Sequence, residues 1–189
     1  MPKSPADMMD AVSENMKERT GRSLEEWVAL VQASGLDALD QNSVRKWLKS
    51  EHGVLQNSQW AIADAAARAA GWERPSVEGY IDSQYTGAKE ALRPIFEAIR
   101  EFVMSLGDDI SIEGRGTYTP FVRKRQFATA MAAKDRLDLG LRYKDLPADP
   151  RLEATNRVGQ ATHKLSLYSP ADFDEGVKAL IRAAYEQNG

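Results

Sequence analysis

Residues 117–143 read TYTPFVRKRQFATAMAAKDRLDLGLRY, and this stretch alternates between apolar and polar side chains as β-strands do. The clearest alternation is in its last third, where leucines alternate with polar or small residues: Leu137, Leu139 and Leu141 against Arg136, Asp138, Gly140 and Arg142. Because short turns join the strands, the stretch predicts an antiparallel meander with one apolar and one polar face. The segment 162–168 alternates in the same way and is expected to join this sheet.

Amphipathic helices are predicted on both sides of the sheet in the sequence. Residues 88–106 and 173–184 carry apolar side chains at helical spacing, and residues 110–113 are expected to enter the sheet. We therefore predict that residues 86–189 form an α-β-β-β-β-β-α domain. It is an antiparallel sheet of about five strands with two helices packed on one face.

The first 85 residues predict a small helical bundle. Ser23 followed by Glu26 is a capping-box pattern that opens one helix, and glycines end several others. All four tryptophans lie in this part, at positions 27, 47, 60 and 72, and are expected to anchor its core. The whole chain is thus predicted to be of the α+β class, with domains at residues 1–85 and 86–189.

The composition is that of a globular protein, with 189 residues of which 42% are hydrophobic and 28% charged. No apolar run approaches the roughly 20 residues of a membrane helix, and the first residues lack the apolar core of a signal peptide. We expect a cytoplasmic protein that does not contact membranes.

Several kinds of chemistry are disfavoured by the residues present. The chain has no cysteine, and its two histidines, His52 and His163, do not stand in a metal-binding spacing. Neither a GxGxxG phosphate loop nor a GxSxG nucleophile motif occurs. The sequence therefore favours a binding protein without a metal or cofactor over an enzyme.

Positive charge is concentrated around the predicted sheet, although the formal net charge of the chain is −3. Between Arg115 and Lys164 there are 11 basic and 5 acidic side chains. Arginine forks on a rigid surface bind phosphates and carboxylates well. The ligand-binding residues predicted on this basis are Arg123, Lys134, Arg136, Arg142, Arg151, Arg157, His163, Lys164 and Tyr168.

The expected ligand is an anionic small molecule or peptide, held by the basic end of the sheet and the loop at 144–160. Non-specific binding of nucleic acid by the same face is an alternative. A third is a non-catalytic docking protein whose basic face is covered by a partner or by the acidic first domain. Basic side chains on a polar sheet face also serve solubility alone.

Two groups of motifs resemble known families. TGRSLEEWVALVQASG at 20–35 and SVRKWLKSEHGV at 43–54 resemble the bacterial family called domain of unknown function 4287, with its SxxEW and WLKxEHG signatures. YTPFVRKRQFATAMAAKDRLDLGL at 118–141, DPRL at 149–152 and a closing helix ending in AAYE resemble domain of unknown function 5655. Neither resemblance implies an established activity.

A more distant similarity links the second domain to YdhG-like α+β proteins with a frataxin-like arrangement, which would imply iron handling. Iron delivery requires clustered carboxylates. The predicted polar face instead carries Arg123, Arg136, Arg142 and Lys164, so we do not expect a metal site.

Overall fold

The computed structural model of the chain describes residues 12–189. The chain divides into two compact units, with the division between Arg74 and Pro75. Helix Val77–Gln84 therefore groups with the second unit. The boundary predicted from the sequence lies after residue 85, at the end of that helix, and it stays a prediction.

The first unit is helical. Among the described residues its helices include α1 (Met16–Thr20), α2 (Leu24–Ala33), α3 (Gln41–His52) and α4 (Gln56–Ala69). The Ser23 side chain accepts a hydrogen bond from the backbone N–H of Glu26, whose carboxylate accepts one from the N–H of Ser23. This is the predicted capping box, which satisfies two N–H groups that a helix start leaves unpaired.

The tryptophans of the first unit differ in their surroundings. Trp27 is buried in the core beside Val31 and Leu48, as predicted. Trp60 is 42% exposed, with the Arg45 guanidinium 3.5 Å from its ring centroid, so the prediction of a core anchor was wrong there. The buried side of α4 is formed instead by Ile62 and by small residues such as Ala63 and Ala66, which allow neighbouring helices to pack closely.

The second unit combines three helices with one sheet. Its helices are α5 (Val77–Gln84), α6 (Arg93–Met104) and α7 (Glu175–Gln187), with short 3₁₀ turns at Gly87–Leu92 and Pro170–Asp172. The strands are β1 (Ser111–Ile112), β2 (Thr119–Val122), β3 (Gln126–Ala132), β4 (Leu137–Leu141), β5 (Glu153–Ala154) and β6 (His163–Leu167). All pairs are antiparallel, in the order β1-β2-β3-β4-β6-β5.

The α+β class is confirmed, and the sheet has one strand more than the five predicted. The additional strand, β5, lies in a segment that was predicted to be a loop. It is two residues long, too short for alternation to reveal it.

One face of the sheet, here called the inner face, is covered by α6 and α7. Leu139 of β4 lies opposite Ala130 and Leu165 in the neighbouring strands, and all three are buried. The helices contribute the same core with Ile95, Phe96, Ile99, Val103, Val177, Leu180, Ile181 and Ala184. This burial of leucine, isoleucine and phenylalanine is the main stabilising contribution to the unit.

The opposite, outer face is partly covered by the connection between β5 and β6. Val158 and Ala161 are buried against Gly140 of β4, where a Cβ atom would lie only 2.7 Å from Val158 Cγ1. Gly159 has a φ of 57° and sits against the buried Gln126 and Thr129. A glycine is needed there, because the left-handed conformation and the close approach both exclude a Cβ.

Candidate anion-binding end of the sheet

The topology brings three basic segments to one end of the sheet. Arg142, at the exit of β4, donates its backbone N–H to Phe127 O at 2.9 Å, so it lies beside the β2–β3 hairpin that carries Lys124 and Arg125. Thr162 N–H bonds to Leu141 O, which places the β5–β6 connection at the same end. We call this surface the basic end and define it by its five cations, Lys124, Arg125, Arg142, Lys144 and Arg157.

Arg142 and the β5–β6 connection are in direct contact. The Arg142 Nη1 atom donates to Gln160 Oε1 at 2.8 Å. The carbonyl of Arg142 accepts from Asn188 Nδ2 at 2.9 Å, which ties the exit of β4 to the end of α7. These two bonds fix the backbone of Arg142 and the connection beside it. The guanidinium uses one of its five N–H donors for Gln160, and the others can bind a ligand.

The cations of the basic end have no carboxylate partners among the described residues 12–189. No ion pair involves Lys124, Arg125, Arg142, Lys144 or Arg157. Nearby like charges without counterions produce a positive potential that attracts anions.

Arg123 lies in the same hairpin but is engaged in a structural contact. Its Nε donates to Asp109 Oδ2 at 2.6 Å and its guanidinium lies 4.2 Å from the ring centroid of Tyr185. Hydrogen bonds from Arg123 and from the Tyr185 hydroxyl lower the pKa of Asp109. The arginine thus connects the hairpin to α7 and to the end of α6.

Arg136 and Lys164 surround a buried carboxylate in the middle of the outer face. Asp138 is 4% exposed, and its Oδ1 accepts from Arg136 Nε at 2.9 Å, Ser166 Oγ at 2.8 Å and Lys164 Nζ at 3.3 Å. Burial alone would raise the pKa of Asp138, but the bonds from Ser166 and Arg136 and the charge of Lys164 outweigh it and lower the pKa. Both cations are therefore paired within the outer face, through this carboxylate and one further carboxylate each.

Arg151 and Tyr168 line an open groove of about 410 Å³ at the far edge of the sheet. Arg151 bonds to Asp149 at 2.8 Å and to Asp174 at 3.0 Å, and the hydrogen bond with Asp149 is the main reason why its pKa is raised. Tyr168 is 62% exposed.

The two remaining predicted residues are not among the cations that define the basic end, although His163, opposite Leu141, lies at the same end of the sheet. Lys134 is exposed in the β3–β4 turn, at the opposite end of the sheet from Arg142. His163 is half-buried in β6, with Nδ1 3.1 Å from Thr162 Oγ1 and its ring 6.3 Å from that of Tyr143.

The nine predicted residues are thus divided among several locations instead of forming one site. Only Arg142 and Arg157 belong to the basic end. Gln160, which was not predicted, accepts a hydrogen bond from Arg142 and lies in the same β5–β6 connection as Arg157. Lys124 and Arg125 of the basic end were not among the predicted binding residues. Both residues lie in the turn between β2 and β3, where the alternation of a strand does not say which way a side chain points. Recognising the hairpin is enough to place them at this end of the sheet.

Residues 12–189 contain neither a metal-binding cluster nor a membrane-spanning helix. No three residues of the histidine, aspartate and glutamate type are grouped so that they could hold a metal ion. None of the described helices is long and apolar enough to cross a membrane.

The fold and this surface define a two-unit α+β protein with an antiparallel sheet of which one end is basic. The chain belongs to the family described as domain of unknown function 5655, whose model matches residues 81–188, more than half of the chain. The model of domain of unknown function 4287 matches residues 9–65. Both resemblances are thereby confirmed, and neither the curated proteins nor the solved structures include a match.

Proposed function

We propose that the protein binds an anionic ligand, a small molecule or an acidic peptide, at the basic end of its sheet. The observation that carries the proposal is that three segments bearing five cations meet at one end of the sheet, and that none of these cations forms an ion pair with a carboxylate among the described residues. Elsewhere on the same sheet, by contrast, Arg136 and Lys164 share Asp138.

The attachment of the β5–β6 connection supports the proposal. Val158 and Ala161 pack on Gly140, and this holds Gln160 against Arg142 before any ligand arrives. A binding group that is already ordered loses little conformational entropy when the ligand binds. The fork of Arg142 can then donate two parallel hydrogen bonds to a phosphate or carboxylate.

Nucleic acid is the second candidate. Its support is that the cations come from three separate segments around the sheet end, an arrangement that can follow a chain of phosphates. A small anion would depend mainly on Arg142 and its immediate neighbours. A polyanion would contact all five cations, and the number of counterions released would increase with the number of phosphates contacted.

The test compares three proteins with two ligands. Tripolyphosphate binding is measured by calorimetry, and binding of a labelled random-sequence oligonucleotide by fluorescence anisotropy from low to physiological salt. The variants are the double substitution Arg142→Gln with Arg157→Gln, and Lys178→Gln as a control. Lys178 is also a cation of this unit, but it lies nine residues from Gln187 along α7, about 13 Å from the end of the helix at the basic end.

The proposal predicts that tripolyphosphate binds the wild type and Lys178→Gln alike and binds the double variant at least tenfold more weakly. Each charge-assisted hydrogen bond contributes about 1.5–3 kcal/mol, and tenfold corresponds to about 1.4 kcal/mol. Oligonucleotide binding that falls steeply with salt would favour the second candidate. Equal affinities of all three proteins, or no binding of either ligand at low salt, would contradict the proposal.

A further inference from the structure

The outer edge of β6 is only partly covered by β5. The two strands pair over two residues each, Glu153 with Lys164 and Ala154 with His163. If β5 were longer, Arg151 would lie opposite Ser166. The chain instead turns away there, because the N–H of Arg151 donates to Asp149 Oδ1 at 2.9 Å.

The exposed edge has a defined hydrogen-bonding direction. Thr155 N–H donates to Thr162 O at 2.9 Å, and β5 keeps this register further along the pair. The backbone groups of Lys164 and Ser166, the even-numbered residues within β6, therefore point toward β5. Those of Leu165 and Leu167 point toward β4. The N–H and C=O of Ser166 therefore face the open edge, whereas the N–H of Tyr168 is taken by Asp172 Oδ2 at 2.8 Å.

A groove runs along this edge. It has a volume of about 410 Å³ and is lined by Arg151, Glu153, residues 165–168, Ala171, Asp172 and Asp174. The exposed ring of Tyr168 and the methyl group of Ala171 supply apolar contact area.

The charge of the groove is negative. Three carboxylates line it against a single guanidinium, and that guanidinium is already bonded to Asp149 and to Asp174. The side chain of Glu153 is 70% exposed, and its nearest cation is Lys164 Nζ at 3.7 Å. An anion is therefore disfavoured here, and a cationic side chain is favoured.

We propose that this groove binds an extended peptide segment carrying lysine or arginine, which adds as a short strand beside Ser166. Its backbone pairs with the N–H and C=O of Ser166, its alternate side chains contact Tyr168, and its cation lies beside Glu153. Strand addition to an open sheet edge is a general mode of peptide recognition. The site is independent of the basic end and has the opposite charge preference.

Two substitutions at one position isolate the backbone donor. Ser166→Pro removes the N–H that faces the groove without touching the bonds between β6 and β4. It also removes the hydroxyl that donates to Asp138. Ser166→Ala removes only that hydroxyl, so a difference between the two variants reports on the N–H.

The experiment selects random decapeptides, displayed on phage, on the full-length protein and then measures the selected peptides by anisotropy. The proposal predicts peptides enriched in lysine and arginine that bind wild type and Ser166→Ala alike and bind Ser166→Pro about tenfold more weakly, from one lost hydrogen bond. Independently of how well the proline variant folds, Glu153→Lys, a change at an exposed side chain, weakens the same peptides about tenfold.

Three results would overturn the proposal. The first is that no peptide is enriched. The second is that the enriched peptides bind Ser166→Pro and Glu153→Lys as well as they bind Ser166→Ala. The third is that wild type and Ser166→Ala form a dimer in sedimentation while Ser166→Pro does not, which would show that the edge is occupied by a second copy of this chain.

Discussion

Gly140 offers a direct way to perturb the attachment of the β5–β6 connection. A Cβ atom on Gly140 would lie 2.7 Å from Val158 Cγ1 and 2.8 Å from Ala161 Cβ. Apolar carbons pack at about 3.5–4.0 Å, so Gly140→Ala forces the connection away from β4 by about 1 Å. Gln160, which accepts a hydrogen bond from Arg142, lies between Val158 and Ala161, so we expect this displacement to disturb that bond as well.

The cost can be bounded in two ways. Overpacking a core contact destabilises a protein by about 1–3 kcal/mol. Detaching the connection instead would expose the buried side chain of Val158, and the stabilisation from its burial, about 1.5–3 kcal/mol, would be lost. The protein adopts whichever of these two responses has the lower free energy. We therefore predict that Gly140→Ala lowers the free energy of unfolding of the second unit by about 2 kcal/mol.

The spectroscopic assay is simple because the chromophores are segregated. All four tryptophans precede Pro75 and all six tyrosines follow it. Urea unfolding followed by tyrosine absorbance reports on the second unit, and tryptophan fluorescence reports on the first. Gly116→Ala is the matched control, since nothing lies within 4 Å of a Cβ there and the backbone is not in the left-handed region.

A double variant tests the steric explanation itself. Val158→Ala removes the closer of the two contacts, so it should relieve part of the clash that Gly140→Ala creates. The double variant should then be about 1 kcal/mol more stable than the sum of the two single effects predicts. Purely additive effects would refute the reasoning. So would a Gly140→Ala protein as stable as Gly116→Ala, because the connection would then have room that the structure does not show.

Two further predictions concern single side chains. Asp138→Asn should lower the stability of the second unit at neutral pH by about 1–3 kcal/mol, because Arg136 and Lys164 lose their shared counterion. Since the pKa of Asp138 is lowered in the folded state, its contribution is full above about pH 3.9 and lost as the pH falls further, so wild type and variant should converge in acid when tyrosine absorbance is followed. Ser23→Ala should destabilise the first unit by about 1 kcal/mol through loss of the capping box, and tryptophan fluorescence would detect it; an unchanged midpoint would show that the cap is dispensable.

The sheet could be predicted because alternation is a local property of the sequence. Leu137, Leu139 and Leu141 have one parity, and the structure places all three on the face that the helices cover. The basic face could be anticipated in the same way. The pairing of its cations with Asp138 could not be fully predicted, because the contacts of Asp138 with Lys164 and Ser166 depend on the register of β4 against β6.

The edge of the sheet and the position of the β5–β6 connection were less accessible. β5 consists of two residues paired with β6, and the turn at Asp149 ends this pairing. The sequence of this segment contains prolines but no alternation that would predict a strand. Gly140 looked like an ordinary small residue on a polar face. Only the structure shows that Val158 fills the space above it, and that this contact brings Gln160 to Arg142.

The most direct test of anion binding at the basic end is a nuclear magnetic resonance titration of the full chain with tripolyphosphate, following the Nε–H signals of the arginine side chains. If anions bind at the basic end, the signals of Arg142 and Arg157 shift together and saturate, while that of Arg136, bonded to Asp138, hardly moves. Shifts confined to Arg136 or Arg151, or no shift at any arginine, would contradict anion binding at this end.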